Sequence, residues 1–87
     1  MKVIAKPIEM MVWFDSEGVA NPVRFKLNLK DEQYRVIKIH SVIERNKERL
    51  AGNDMLKFTC ESLIDNCLKV YEIKYEISTC KWILFKY

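Results

Sequence analysis

Apolar and polar side chains alternate along most of this chain, in short runs separated by polar turn residues at intervals of roughly 8–12 residues. Successive side chains of a β-strand point to opposite faces, so a period of two predicts strands rather than helices. We therefore expect an antiparallel all-β fold. The predicted strands cover residues 2–14, 22–30, 33–45, 55–64, 67–77 and 81–87.

The turns of the C-terminal half predict a register for its three strands. Asp65-Asn66 is a pair that tolerates the positive φ angles of a two-residue hairpin turn, and Ser78-Thr79 is the next turn candidate. Because a turn sets which residues face each other, these two turns together predict one continuous apolar face. Its members are Leu56, Phe58, Cys60, Tyr71, Ile73, Tyr75, Trp82 and Leu84.

The N-terminal half contains a second predicted hairpin. A loop over residues 15–18 sets Met10 against Val23 and Ile8 against Phe25. The strand after this loop alternates cleanly. Its inward residues are Val23, Phe25, Leu27 and Leu29, and its outward residues are Arg24, Lys26 and Asn28.

The next strand breaks the alternation. A turn at Asp31-Glu32 would continue the inward face into Tyr34 and Val36, whereas the following apolar residues are Ile37, Ile39 and Ile43. The phase therefore slips by one residue. A β-bulge near residues 36–37 would restore it and bend the strand, as happens where small barrels turn a corner.

Residues 41–52 allow two interpretations. Ser41 and Glu44 fit a helical capping box, with Gly52 placed to end the helix, but residues 44–49 contain no apolar side chain to bury. A strand continuing to about Arg45, followed by a charged turn, is favoured. The predicted fold is a six-stranded antiparallel meander that forms a small closed or partly open barrel, SH3-like, or OB-like if 41–52 is a helix.

Length and composition limit the class of protein. The chain of 87 residues has one domain, 1–87, and a formal charge of +3 that is spread evenly. No apolar run approaches the roughly 20 residues of a membrane-spanning helix, and the N-terminus lacks a secretory pattern. Three cysteines without a C-x-x-C pair are typical of a reducing compartment, so we expect a cytoplasmic location.

No residue pattern predicts catalysis, a metal or a cofactor. His40 is the single histidine and has no triad-like partner nearby. The cysteines are spaced C-x6-C-x12-C, which matches no zinc pattern, and the predicted register separates all three. We expect three buried, inert thiols and a protein that is not an enzyme. An enzyme would need a pocket that joins His40 to a carboxylate.

Two surfaces are candidates for binding. The outward face of the last two strands is unusually apolar, with Leu68, Val70, Ile83, Phe85 and Tyr87. A second outward row is basic, with Arg24, Lys26, Lys30, Arg35 and Lys38, and lies beside Trp13 and Met11. The first surface is typical of a protein contact. The second combines cations for phosphates with an aromatic ring for stacking, as single-stranded nucleic acid requires.

Several short motifs carry a family resemblance. They are Pro22-x-x-Phe25, Tyr34-x-Val36, Ala51-Gly52-Asn53-x-Met55, Tyr71-Glu72-Ile73 and Trp82-x-Leu84. Together they resemble a group of small uncharacterised bacterial proteins of about this length. The chain is also similar to small proteins encoded beside translesion DNA polymerase genes in some bacteria, which implies a link to DNA metabolism.

The sequence predicts a non-enzymatic accessory or binding module. The first hypothesis is a protein contact, with a homodimer or another protein, through Val70, Ile83, Phe85 and Tyr87. The alternative is nucleic-acid binding through Trp13, Arg24, Lys26, Arg35 and Lys38. No membrane, metal or cofactor is expected as a partner.

Overall fold

The computed structural model describes residues 1–28 and 33–87, and within them the chain is all-β. Two-residue periodicity explains this outcome, because strands expose alternate residues and helices do not. The seven strands are β1 (Val3–Phe14), β2 (Ala20–Asn28), β3 (Tyr34–Lys38), β4 (Ser41–Leu50), β5 (Asn53–Ile64), β6 (Cys67–Glu76) and β7 (Lys81–Lys86).

One sheet contains all seven strands, in the order β3-β2-β1-β7-β6-β5-β4, and each neighbouring pair is antiparallel. The order is that of a meander in which the first and last strands, β1 and β7, pair with each other. The gap lies instead between β3 and β4. The fold is therefore an open half-barrel, so the closed form of the predicted barrel is wrong.

The count of seven strands instead of six has a local cause at residues 39–40. The Ile39 N–H still donates to the Val23 carbonyl on β2, at 2.9 Å, whereas the His40 N–H donates to the Glu61 carbonyl on β5, at 2.9 Å. The chain thus leaves β2 and joins β5 within two residues. The predicted strand 33–45 is divided there into β3 and β4.

The C-terminal predictions are confirmed. Cys60 pairs with Tyr71 and Ile73 pairs with Leu84, as the two turns require. Asp65 and Asn66 adopt φ angles of 51° and 64°, in the left-handed region of a two-residue hairpin turn. Strand β4 continues to Leu50 and a turn follows at 51–52, so the helical alternative, and with it the OB-like layout, is wrong. The favoured strand is right in type but ends about five residues later than predicted.

The predicted register of the first hairpin is wrong by two residues. Met10 faces Phe25, not Val23, and the pairing shifts again between Met11 and Val12. The Asp15 carboxylate accepts hydrogen bonds from the Glu17 and Val19 N–H groups, both at 2.9 Å, and so organises a five-residue loop over 15–19. A shift of two residues keeps each side chain on its face, so Phe25 and Leu27 still point inward, where they are buried.

The prediction of which β3 residues point inward is also wrong. Asn28 pairs with Tyr34, one residue away from the expected register, and the ladder contains no bulge near residues 36–37. A slip of one residue reverses the faces of a strand. Tyr34 and Val36 therefore point outward and are exposed, whereas Ile37 and Ile39 are buried. The predicted inward Leu29 and the turn at Asp31-Glu32 lie outside the described residues.

The core fills the concave side of the half-barrel. Its central members are fully or almost fully buried aromatic and aliphatic side chains from five strands: Phe25, Ile37, Phe58, Tyr71, Ile73, Trp82 and Leu84. Packing these faces inward leaves two outer surfaces, one on β1–β3 and one on β4–β7. Across residues 1–28 and 33–87 there is no helix long and apolar enough to cross a membrane.

Candidate functional site

The outer face of β1–β3 brings together aromatic, apolar and basic side chains. We call this surface the N-terminal platform. Its members, read from the strand registers, are Glu9, Met11 and Trp13 on β1, Arg24 and Lys26 on β2, and Tyr34, Val36 and Lys38 on β3. The rings of Trp13 and Tyr34 are 56% and 59% exposed, which is high for aromatic side chains in a structured sheet.

Two cations of the N-terminal platform face each other directly. Arg24 pairs with Met11 on one side and with Lys38 on the other, so the guanidinium and the ammonium belong to one cross-strand pair. Like charges in this position destabilise a sheet. Within the described part of the chain, neither cation lies within salt-bridge distance of a carboxylate.

The next row of the N-terminal platform holds a charged pair beside a ring. Lys26 pairs with Glu9 on β1 and Val36 on β3, and its Nζ lies 3.7 Å from Glu9 Oε2. The same Nζ sits 4.2 Å from the centroid of the Tyr34 ring, a cation–π distance. A groove of about 470 Å³ runs between these rows, with Met11 and Val36 in its walls.

Four of the five predicted nucleic-acid residues, Trp13, Arg24, Lys26 and Lys38, lie on the N-terminal platform, and Arg35 does not. Arg35 pairs with buried Leu27 and so belongs to the opposite face. There it forms a two-point hydrogen bond with Asp65, at 2.6 and 3.0 Å, which lowers the pKa of the Asp65 carboxyl. Lys30, which was expected in the same basic row, lies outside the described residues.

Three members of the N-terminal platform were missed from the sequence: Glu9, Tyr34 and Val36. The phase error on β3 had assigned Tyr34 and Val36 to the core. The alternation of Ile37 and Ile39 carried the correct signal, because inward residues at 37 and 39 place 34, 36 and 38 outward. Glu9 carried no separate signal, since exposed carboxylates are common on any strand.

The predicted apolar face of the last two strands is not a continuous patch. Tyr87 turns inward, with its ring 6.1 Å from that of Tyr71, because the register shifts between Glu72 and Ile73. Ile83 and Phe85 point outward but are half-buried. The Phe85 ring lies 3.7 Å from the Lys74 ammonium and covers it.

A ladder of charges occupies the centre of this C-terminal outer face. Lys57 and Lys74 face each other across β5 and β6, as Arg24 and Lys38 do on the N-terminal platform. Here, however, Glu48 lies 3.4 Å from Lys57 and 3.0 Å from Lys74, and Glu72 lies 3.3 Å from Lys57. The Lys74 ammonium beside Glu48 lowers the pKa of the Glu48 carboxyl. The like charges are thus neutralised within the fold.

An exposed apolar patch does exist nearby, on the hairpin of β5 and β6. Leu63 and Leu68 form a cross-strand pair and are 52% and 63% exposed, and Val70 follows on the same face. We call these three residues the hairpin patch. Leu68 and Val70 belong to the apolar outward face predicted from the sequence, and Leu63 does not, so the apolar surface lies further from β7 than expected.

The residues considered for catalysis or metal binding are dispersed. His40 is exposed at the junction of β3 and β4, where its Nδ1 accepts a hydrogen bond from the Leu63 N–H at 3.2 Å. Cys60 is buried, but Cys67 and Cys80 are exposed, so the prediction of three buried thiols is wrong for two of them. In residues 1–28 and 33–87, no three His, Cys, Asp or Glu side chains are grouped to hold a metal ion.

Comparison of this chain with protein-family models, with curated proteins and with solved structures finds no match.

Proposed function

We propose that this protein binds single-stranded nucleic acid on the N-terminal platform. The observation that carries the proposal is the pair Arg24 and Lys38, two cations held directly opposite each other without a carboxylate beside them in the described residues. A phosphate placed between them would replace repulsion by two charge-assisted hydrogen bonds. The surface thus supplies positive charge that no carboxylate of residues 1–28 and 33–87 neutralises.

Comparison with the C-terminal outer face supports this proposal. The same arrangement of opposed cations occurs there at Lys57 and Lys74, and two glutamates neutralise it at distances of 3.0–3.4 Å. Neutralising a like-charge pair is therefore within reach of this fold. On the N-terminal platform that neutralisation is left to a ligand, and a polyanion is the ligand that such a surface favours.

The exposed rings favour a single strand over a duplex. Trp13 pairs with Asn21 and Tyr34 pairs with Asn28, which places the two rings roughly 23 Å apart along β2, at about 3.3 Å per residue. The cations Arg24, Lys26 and Lys38 lie between them. Stacking of unpaired bases on such rings contributes about 1–3 kcal/mol per base, and a duplex offers no free base faces in its interior.

Titration of labelled single-stranded DNA and RNA of about 12 nucleotides, followed by fluorescence anisotropy, tests the proposal. We expect binding that weakens as salt rises from about 20 to about 200 mM, since phosphate contacts release counterions. Trp13→Ala should weaken binding by at least about fivefold, with Trp13→Phe close to wild type. Arg24→Gln should weaken binding and reduce the slope of log K against log salt by about 0.7.

The stability of Arg24→Gln separates this function from a structural role. Because the substitution removes a like-charge repulsion, the free energy of unfolding should stay constant or rise while affinity falls. Lys47→Gln, which removes a cation from β4 away from the N-terminal platform, is the matched control and should bind as wild type does. Absence of binding to both DNA and RNA at low salt would contradict the proposal.

The hairpin patch favours a second candidate function, a contact between two copies of this chain. Leu63, Leu68 and Val70 form one apolar surface, and exposed apolar groups of this kind are typical of protein interfaces. A homodimer was part of the protein-contact hypothesis from the sequence. Its surface is now the hairpin patch, since Tyr87 points inward and Phe85 covers Lys74.

Light scattering after size exclusion, over a range of micromolar concentrations, measures this self-association. We expect a dimer whose population falls in Leu68→Lys, because the charge would have to be buried in the contact. Ile77→Lys, an exposed apolar residue in the turn before β7, is the control and should dimerise normally. A monomer at every concentration would refute the second candidate and leave nucleic-acid binding unaffected.

A further inference from the structure

The groove of the N-terminal platform presents hydrogen-bonding atoms in a fixed order. Glu9 Oε2 lies 3.7 Å from Lys26 Nζ, and Oε1 is the other oxygen of the same carboxylate. Across one edge of the groove the order is therefore acceptor, acceptor and donor, since an ionised carboxylate only accepts and an ammonium only donates. The Glu9 side chain is 76% exposed, so a ligand can reach it.

One nucleobase edge complements this order. The Watson–Crick edge of guanine presents the N2 amino group, the N1–H and the O6 carbonyl in sequence, which is donor, donor and acceptor. Cytosine and adenine present a single donor group on that edge, and thymine presents one N–H between two carbonyls. Only guanine can give hydrogen bonds to both oxygens of Glu9 while it accepts one from Lys26.

The walls of the groove suit a flat base. Met11 and Val36 are both more than half exposed. Val36 ends the Glu9–Lys26 row on β3, and Met11 lies beside Glu9 in the next row, so both offer apolar surface to a ring held at the Glu9–Lys26 pair. The volume of about 470 Å³ lies within the range of roughly 300–1,000 Å³ that is usual for small-molecule sites. The guanine edge is accessible only when the base is unpaired.

We infer that this groove is a subsite for one unpaired guanine, read by Glu9 and Lys26 on its Watson–Crick edge. The inference rests on the proposed function, because the backbone of the strand is held by Arg24 and Lys38. It adds a base preference to a surface that would otherwise bind without regard to sequence.

Three oligonucleotides test the subsite on the wild-type protein. Each is a run of about 12 thymidines, with dG, deoxyinosine or dT at the central position. Deoxyinosine keeps N1–H and O6 but lacks the N2 amino group, so it removes one hydrogen bond and nothing else. We expect the dG strand to bind about tenfold more tightly than the dT strand, with deoxyinosine between them.

Glu9→Gln tests the same subsite from the protein side. The substitution removes a negative charge from a polyanion-binding surface, so affinity for the dT strand should rise slightly. The preference for dG should disappear, because the amide offers one acceptor in place of two. These opposite changes would not arise from a loss of structure. Glu61→Gln, the same charge change on β5, should alter neither quantity.

The outcomes separate the subsite from the proposed function. Preference for dG that is lost in Glu9→Gln supports both. Equal affinity for the three strands, or a dG preference that survives in Glu9→Gln, overturns the guanine subsite while nucleic-acid binding stands. No binding of any strand at low salt overturns both.

Discussion

At the scale of single residues, Arg45 shows how the open side of the half-barrel is protected from water. Its guanidinium lies 5.4 Å from the centroid of the Phe58 ring and covers this core side chain. The same group donates to the Ala20 carbonyl at 2.6 Å, so one side chain connects β4 to the start of β2. Arg45 thus spans the open side between β4 and β2, two strands that are not neighbours in the sheet. The long apolar stem of arginine allows it to cover core side chains while its charged end stays hydrated.

The three cysteines differ in solvent exposure, according to their position in the strands. Burial raises the pKa of the Cys60 thiol to about 12, so it stays protonated and unreactive at neutral pH. Cys67 begins β6 and Cys80 lies in the turn before β7, and both are exposed. The alternation of apolar and polar residues predicts the burial of Cys60 correctly. It does not predict burial at the end of a strand or in a turn, where Cys67 and Cys80 lie.

At the scale of the elements, tight turns explain which predictions succeed. The hairpin closed by the two-residue turn at 65–66 has the register expected from sequence, because so short a turn leaves the strands no freedom to slide. The connection of β6 to β7 spans four residues, 77–80, and is centred on the predicted turn, so its register is also the expected one. The loop over 15–19 is longer, and the Asp15 carboxylate sets its shape through two backbone N–H groups. Such a local hydrogen-bond pattern has no simple signature in alternation, so the first register was missed by two residues.

Whether each residue of the candidate site was predicted on the correct face depended on the predicted strand register. Trp13, Arg24 and Lys26 were placed on one face correctly, since a shift of two residues preserves the face. Lys38 was placed correctly because it lies between the inward residues Ile37 and Ile39. Arg35 was placed wrongly and Tyr34 was missed, since a shift of one residue reverses it. The opposition of Arg24 and Lys38, which carries the functional argument, could not be predicted because it depends on the pairing of β2 with β3.

The charge ladder of β4–β6 leads to a prediction about pH. The ion pair with the Lys74 ammonium holds the pKa of Glu48 below its ordinary value of 4.5. A carboxyl whose pKa is lower in the folded state stabilises the fold fully above its ordinary value, and this contribution is lost as pH falls through the lowered value. Glu48→Gln should therefore reduce the free energy of unfolding by about 1–2 kcal/mol at pH 7.

Urea unfolding measured between pH 7 and pH 3 checks this prediction. The difference between wild type and Glu48→Gln should shrink as pH falls, since the wild-type carboxyl then becomes neutral too. Glu17→Gln, an exposed carboxylate in the loop after β1, is the control and should follow the wild-type curve. A Glu48→Gln difference that is the same at every pH would show that the ladder does not act through charge.

At the scale of the whole molecule, one buried hydroxyl pair connects the edge strand β3 to β5 and β6 across the open side of the half-barrel. Ser62 on β5 is fully buried and its Oγ donates to the Lys38 carbonyl at the end of β3, at 2.7 Å. Ser62 Oγ also lies 2.5 Å from the Tyr71 hydroxyl. Serine has one proton to give, so the tyrosine must donate to the serine. These side-chain hydrogen bonds add to the backbone hydrogen bond from the His40 N–H to the Glu61 carbonyl in holding the end of β3 against β5.

Removing the Ser62–Tyr71 hydroxyl pair should destabilise the protein, and a double-mutant cycle should show that the two hydroxyl groups are coupled. Ser62→Ala leaves the Tyr71 hydroxyl buried without a partner and should reduce the free energy of unfolding by about 2–3 kcal/mol. Adding Tyr71→Phe removes that stranded hydroxyl, so the double mutant should be no less stable than Ser62→Ala alone.

The free energy of unfolding is measured by denaturant for wild type, Ser62→Ala, Tyr71→Phe and the double mutant. Ser16→Ala, at an exposed serine, is the control. The sum of the two single effects should exceed the effect of the double substitution by about 1 kcal/mol or more, since the two hydroxyl groups act as one unit. Amide hydrogen exchange should also accelerate along β3 in Ser62→Ala, because its far edge would lose the anchor at Lys38. Additive effects, or a Ser62→Ala protein as stable as Ser16→Ala, would mean that the β3 end of the sheet is held by Arg35 and Asp65 instead.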